Sequence, residues 1–457
     1  AAAAYPARKI ALQLVVDCLK PRFAYFARVT RPEAAKPVAR EFDRVVGGVA
    51  RRIFAWSEEE YEAAVQQVVR RPEDGGVGLL PEARRCCFAY LGSWLDAAQG
   101  LAPEVDVFAH AGRGTVLGER LRRAYGQCVA ANPKKLPETL VEFLRNAVPE
   151  ELEAKFRRAD GSVRWQALLI SGRDAEEAGC WLATASRETK RRLAEMGGAW
   201  VFAADVEGCV LTSRIWQIAM RLRFGLDVIP ALPEEGQRQC SCQMANKHGG
   251  KCLTQLDAKG HHACTCKKES QQLARHSVIV RELGKALRRR GLWVVEERWV
   301  DALMEKSVER TEEGFKVKFK EARLDLVVRD GARLFWLDFT CFHPFQGGQN
   351  RGARTKRWSL EQREHDKHAT YKVKTGGKRE VANGRVVPIV ANSYAALGQE
   401  ALGFFRFANS VARRLERRSA EHRLEPFVQS LVVFFVASGV LDAHMAKPDR
   451  ASAPSGA

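Results

Sequence analysis

The chain is 457 residues long, 46% hydrophobic, and carries 74 Lys and Arg against 55 Asp and Glu, a formal charge of +19. That composition excludes an intrinsically disordered chain and leaves room for roughly two to four domains with sizeable cores. The positive excess runs along the whole length, which favours a polyanionic partner, nucleic acid first. Twelve cysteines in so long a chain do not read as a secreted disulfide scaffold, because five of them crowd between positions 240 and 266 beside histidines. The start, "AAAAYPARKI", has no initiator Met and no charged region followed by an apolar core. No signal peptide is expected, and the chain reads as part of a longer protein.

Residues 1 to 100 show helical spacing, with Leu12, Val15, Val16 and Leu19 on one face. Gly75, Gly76 and Gly78 interrupt it. They lack the Lys-Ser/Thr of a Walker loop and the strand that precedes a dinucleotide fingerprint, so a structural turn is expected. Residues 101 to 235 are again mostly helical and end at the Pro- and Gly-rich "GLDVIPALPEEGQRQ". A segment rich in Cys, His, Gly and Lys fills 236 to 268.

From 269 to 420 the pattern is that of an α/β domain, in the α+β sense. An amphipathic helix over 270 to 291 has Leu283 and Leu287 one turn apart and Gly291 as its stop. "LWVVEERWV" reads as a strand, "FKVKFKEARLDLVV" as a single alternating strand, and Asp330-Gly331 as the hairpin turn into "LFWLDFTCF". A charged helix over 356 to 374, a strand around "VVPIVAN" and a helix over 394 to 418 follow, the last with Leu397, Phe405, Ala408, Ala412 and Leu415 on its face. Residues 421 to 457 read as a C-terminal tail. Its apolar stretch, 426 to 441, is shorter than the roughly twenty residues of a membrane span and is expected to be a buried helix or strand.

"CSCQMANKHGGKCLTQLDAKGHHACTC" offers Cys240, Cys242, Cys252, His262, Cys264 and Cys266, with His248 and His261 beside them. Zn²⁺ needs four such ligands, and a loop-rich segment with little core can draw its folding energy from them. The preferred set is Cys240, Cys242, His262 and Cys266, with Cys252 and Cys264 as alternatives.

Alternation in "LFWLDFTCF" turns Phe335, Leu337, Phe339 and Cys341 one way and Trp336, Asp338 and Thr340 the other. The hairpin turn can bring Asp325 of the preceding strand to Asp338. Two carboxylates in an apolar sheet are costly to bury unless a divalent cation such as Mg²⁺ offsets their charge, and that cation can activate a phosphodiester. Glu296 or Glu297 is expected to join them. In "EHDKHATY", Glu364, Lys367 and Tyr371 share a helix face, and Lys367 can stabilise charge on phosphate. The plain alternative is that Asp325 and Asp338 pair with surface arginines such as Arg323 or Arg333.

The Cys-x-Cys, the "DAKGHHAC" leading to Cys266, Arg275-His276, a Glu near 297, "RLDLVV", "WLDFTCFHP" and "EHDKHATY", in that order, resemble the restriction-like endonuclease region of site-specific non-LTR retrotransposons. The resemblance covers about residues 236 to 420. It implies a zinc knuckle followed by a PD-(D/E)xK type nuclease core, with Asp325 and Asp338 as Mg²⁺ ligands and Glu297, or Glu296, as the preceding acid. It also implies Lys367 and Tyr371 as downstream catalytic residues, and Arg275 and His276 as a pair tied to DNA contact or local structure. Leu324 stands where the family has Pro, and Thr340 where the motif has Lys, so Lys367 has to replace that lysine from its helix.

With "CLKPRFAYFARV" and "RPEDGGVGLLPEARRCCFAYLGSW", residues 1 to 100 resemble the thumb of a reverse transcriptase, and 101 to 235 the region connecting it to the knuckle. The implied setting is a nuclear polyprotein with a polymerase palm upstream, acting on target DNA, with element RNA as a further partner and no membrane. The chain has no Tyr-x-Asp-Asp pair of its own.

Overall fold

The computed structural model of the protein describes residues 7–101, 115–131, 164–203, 209–228, 257–265, 271–299, 305–311, 314–320, 323–344, 359–374, 380–381, 384–415 and 423–445. The chain divides into two compact units, one of Arg8–Arg71 with Gly76–Lys190, the other of Ala1–Ala7, Pro72–Gly75 and Arg191–Ala457.

The first unit is helical where described: α1 (Ala7–Gln13), a π-helical turn (Leu14–Leu19), α2 (Lys20–Val29), α3 (Pro32–Phe54), α4 (Glu58–Val68), α5 (Glu82–Leu101), α6 (Val116–Ala131) and α7 (Trp165–Thr184). Local chemistry sets these ends. Pro32 opens α3, where its missing N–H costs nothing. Ser57 and Glu60 form a reciprocal capping box at α4. The Asp43 carboxylate accepts the N–H groups of Glu82 and Ala83, each at 2.8 Å, and so anchors the start of α5 to α3. The core gathers Phe23, Ala35, Phe88, Leu91, Leu121 and Trp165. The glycine segment is a structural turn: a Cβ on Gly76 would collide with the carbonyls of Gln67 and Arg70, and Gly78 has φ +79° and donates to Arg70 O.

In the second unit α8 (Arg187–Ala194), α9 (Ser213–Phe224) and α10 (His261–Thr265) precede α11 (Gln271–Arg289) and the strands. Those are β1 (Trp293–Trp299), β2 (Glu305–Thr311), β3 (Gly314–Lys320), β4 (Arg323–Asp330) and β5 (Arg333–Phe342). Then come α12 (Leu360–Lys374), β6 (Glu380–Val381), β7 (Gly384–Asn392), α13 (Gln399–Arg414) and α14 (Leu424–Met445).

The main sheet is mixed, in the order β1-β4-β5-β7-β6, with β5 and β7 parallel and the other pairs antiparallel. Gly331, at φ +57°, turns β4 into β5 and closes the pair Asp330–Arg333. Pro388 is tolerated inside β7 because β6 pairs only with Gly384 and Arg385, leaving that edge of Pro388 without a partner from β6. Helices cover both faces. Phe335 meets Phe404 and Phe407 of α13 on one side, while its neighbour Trp336 clusters with Tyr371 of α12, Val327 and Val386 on the other. α11 packs on β1, β4 and β5.

Three expectations change. "FKVKFKEARLDLVV" is two strands in different sheets, because β3 ends at Lys320 and pairs in a separate hairpin with β2. The helix expected from 394 begins at Gln399. The fully buried Asn392 side chain accepts the N–H groups of Tyr394 and Ala396 and holds a turn there, with Ala395 at φ +62°. Its buried face is Ala401, Phe404, Phe405, Ala408, Val411 and Ala412, and Leu415 is exposed. The apolar stretch 426 to 441, expected as a buried helix or strand, lies in the helix α14, whose Leu424, Val428, Leu431 and Ala437 are fully buried and which packs on α9 and α11. Among the described residues no helix is long and apolar enough to cross a membrane.

Candidate active site

The β4–β5 ladder runs from Asp330–Arg333 down to Leu326–Leu337. One step further in the same register Asp325 stands opposite Asp338, but there the strands part. The backbone N–H of Phe339 donates to Asp325 Oδ2 at 2.6 Å instead of to a β4 carbonyl. His276 Nε2, from the first turns of α11, lies 3.2 Å from the same Oδ2 and 3.2 Å from Phe339 O. The His276 ring stands edge-on to the Phe339 ring at 5.7 Å. A carboxylate and a carbonyl are both acceptors, so Nε2 carries the proton. The hydrogen bond to Asp325 raises the proton affinity of His276, against the opposing effect of burial.

Asp338, only 8% exposed, is held from the other side. Lys367 Nζ of α12 donates to Asp338 Oδ2 at 2.6 Å, and the buried Tyr371 hydroxyl donates to the same oxygen. Burial first, then the negative charge of Asp338, drive the Tyr371 pKa upward, so the phenol stays a neutral donor. Asp325 with His276, and Asp338 with Lys367 and Tyr371, form two bonded groups at facing positions of β4 and β5, near enough that the charge of Asp338 acts on His276 and that of Asp325 on Tyr371. Arg333 is elsewhere, its guanidinium over the Phe407 ring at 5.8 Å.

The two carboxylates share one feature. Each is anchored through Oδ2, and among the described residues nothing bonds to either Oδ1. Mg²⁺ keeps several waters and takes one or two carboxylates besides substrate phosphate, and the carboxylates of Asp325 and Asp338 suit it in kind. Among the described residues no group of three His, Cys, Asp or Glu is gathered for a metal.

Glu296 does not belong to the cluster. It pairs with Arg288 of α11 at 2.9 Å and faces the helix at Gly284, because it is opposite Leu326 and not Asp325. Glu297 comes into register with Asp325, between the pairs Glu296–Leu326 and Arg298–Leu324, but its side chain lies outside the described residues. So does that of Arg275. Glu364, expected on the face of Lys367 and Tyr371, is turned to α13 and accepts the Glu400 N–H at 2.9 Å. Thr340 is partly buried in β5, two residues past Asp338.

Of the expected zinc ligands, Cys240, Cys242, Cys252 and Cys266 lie outside the described residues. His262 and Cys264 are on α10, whose start is fixed by the Asp257 carboxylate accepting the N–H groups of His261 and His262 at 2.9 and 2.8 Å. Burial lowers the proton affinity of His262, against the pull of Asp257. His261 Nδ1 meets His343 Nε2 at 2.8 Å, and His343 Nδ1 meets Ser393 Oγ at 2.5 Å. That chain ties α10 to the ends of β5 and β7. Burial pushes the His343 pKa down to about 3, so its ring is neutral and serves as one donor and one acceptor.

Sequence reasoning missed the place of His276 beside Asp325. The two are far apart in the chain, and the packing of α11 on β5 that joins them leaves no periodic signal. Compared with known proteins, the chain matches no family model and no curated protein.

Proposed function

We propose that the second unit is a Mg²⁺-dependent DNA endonuclease with a core of the PD-(D/E)xK type, serving a non-LTR retrotransposon by nicking target DNA to prime reverse transcription. The observation that carries this reading is the placement of Asp325 and Asp338 at facing positions where the β4–β5 ladder ends, with Lys367 and Tyr371 bonded to Asp338. The overall charge of +19 suits a DNA ligand. Asp325 and Asp338 would hold the cation, with Glu297 entering from β1. Bound there, the cation supplies Lewis-acid polarisation of the phosphate and activation of the attacking water. Lys367, already at carboxylate distance, can shift its ammonium to a non-bridging phosphate oxygen as charge develops there. Tyr371 keeps Asp338 oriented while Lys367 moves. Hydrolysis breaks the P–O3′ or the P–O5′ bond; priming requires the first, which leaves a 3′ hydroxyl and a 5′ phosphate.

Cys240, Cys242, His262 and Cys266 are proposed to bind one Zn²⁺, with Cys252 and Cys264 as alternatives. The neutral state that burial favours for His262 is the one a ligand needs. The helical first unit is proposed as a reverse-transcriptase thumb and connector, in a nuclear polyprotein that also binds element RNA.

A second reading, a zinc-containing nucleic-acid-binding module whose nuclease has decayed, draws on Thr340 in the place of the motif's lysine. The two separate on nicking of duplex DNA with Mg²⁺. The nuclease reading expects wild type to nick and Asp338→Ala to bind DNA equally without nicking. Equal inertness of both proteins, with equal binding, supports the binding module.

A further inference from the structure

We propose that His276 is a positioning residue for Asp325, acting on the geometry of the acid pair and not through contact with DNA. This inference rests on the nuclease reading above. Three observations carry it. First, His276 Nε2 reaches Asp325 Oδ2 and Phe339 O at 3.2 Å each, and both are acceptors, so one N–H is shared between them. Second, Phe339 N–H donates to that same Oδ2 at 2.6 Å, so both backbone groups of residue 339 are bonded by the Asp325–His276 pair where the β4–β5 ladder has ended. Third, among the described residues the contacts of the Asp325 carboxylate all fall on Oδ2, which restrains its rotation.

The His276 Nε2–H is shared between two acceptors on the central strands β4 and β5. It cannot serve a phosphate without releasing Asp325. The arrangement parallels that of groups that orient metal ligands from behind, whose loss typically lowers metal affinity or activity about 10- to 100-fold. Gln can place an amide N–H near the Nε2 position and should substitute in part, whereas Ala cannot.

The experiment uses the full chain and three readouts: Mn²⁺ affinity from electron paramagnetic resonance titration, duplex affinity in Ca²⁺, and the nicking rate in Mg²⁺. His276→Ala is expected to weaken Mn²⁺ binding and slow nicking by about tenfold or more, with duplex affinity unchanged, and His276→Gln to recover part of both. His276→Ala with wild-type Mn²⁺ affinity and weakened duplex binding would overturn the proposal and make His276 a DNA contact. If His276→Ala does not fold, His276→Gln decides: Mn²⁺ affinity near wild type with nicking retained supports positioning, and loss of both in a folded protein overturns it. Wild-type protein that neither binds Mn²⁺ nor nicks removes the nuclease reading itself, a result distinct from an active wild type with an indifferent His276.

Discussion

Replacing Lys367 by Met removes a positive charge from Asp338 while keeping an apolar stem of similar length. The ammonium is 2.6 Å from Oδ2, with the Lys367 side chain 30% and the Asp338 side chain 12% exposed. Fully exposed pairs contribute about 0–1 kcal/mol, and breaking a fully buried one costs about 3–5 kcal/mol. This pair lies between those limits, and Tyr371 still donates to the carboxylate, so Lys367→Met should lower the stability of the metal-free protein by about 1–2 kcal/mol. Urea denaturation in EDTA, following the sheet-bearing unit, measures it. Mg²⁺ should then stabilise the variant more than wild type, because its carboxylate pair has lost a competing cation. At a Mg²⁺ concentration 100 times the Kd, a site present only in the folded state adds about 2.7 kcal/mol. A variant as stable as wild type in EDTA, or a stabilisation by Mg²⁺ no larger than in wild type, would refute the reasoning.

Tyr371→Phe deletes a donor to a carboxylate and should cost about 1.5–3 kcal/mol by the same denaturation assay; an unchanged midpoint would mean that the hydroxyl does not hold Asp338. Gly384→Ala sets a Cβ onto the Trp336 indole and should destabilise by about 1–3 kcal/mol, seen as a lower Tm, whereas a neutral effect would contradict the close approach of β7 to that ring. For pH, His276 has its proton affinity raised in the folded state by Asp325. Its contribution is therefore fully present below the unfolded histidine pKa of about 6.5 and is lost as pH rises through the higher folded value. The stability difference between wild type and His276→Ala in EDTA should shrink over that interval, and a difference that grows would contradict the sign.

The facing positions of Asp325 and Asp338 were readable because they are set locally. Alternation in β5 and a Gly at φ +57° fix which side chains of Arg323–Phe342 share a face, and helical spacing puts Lys367 and Tyr371 on one side of α12. What escaped is set by tertiary contact. Glu296 and Glu297 differ by one residue, so only the β1–β4 register distinguishes the partner of Arg288 from the residue facing Asp325. β2, "EKSVERT", has a single aliphatic residue among charges and gives no strand alternation to recognise. The late start of α13 depends on a fully buried Asn392 holding a turn, which a helical pattern of apolar residues cannot reveal. Glu364 shows the converse: helical spacing puts it beside Lys367, yet its carboxylate caps α13, and Gly398 leaves the space for it.

The central claim is that Asp325 and Asp338 hold a cation for phosphodiester hydrolysis. Its most direct test incubates the protein and Mg²⁺ with supercoiled plasmids carrying a random-sequence insert pool, followed by DNA ligase. The account predicts open circles that ligase reseals, as a 3′ hydroxyl and 5′ phosphate require, and none with EDTA or with Asp325→Asn. Nicks that persist in EDTA or in Asp325→Asn, or plasmids left supercoiled by a protein that binds them, would contradict it.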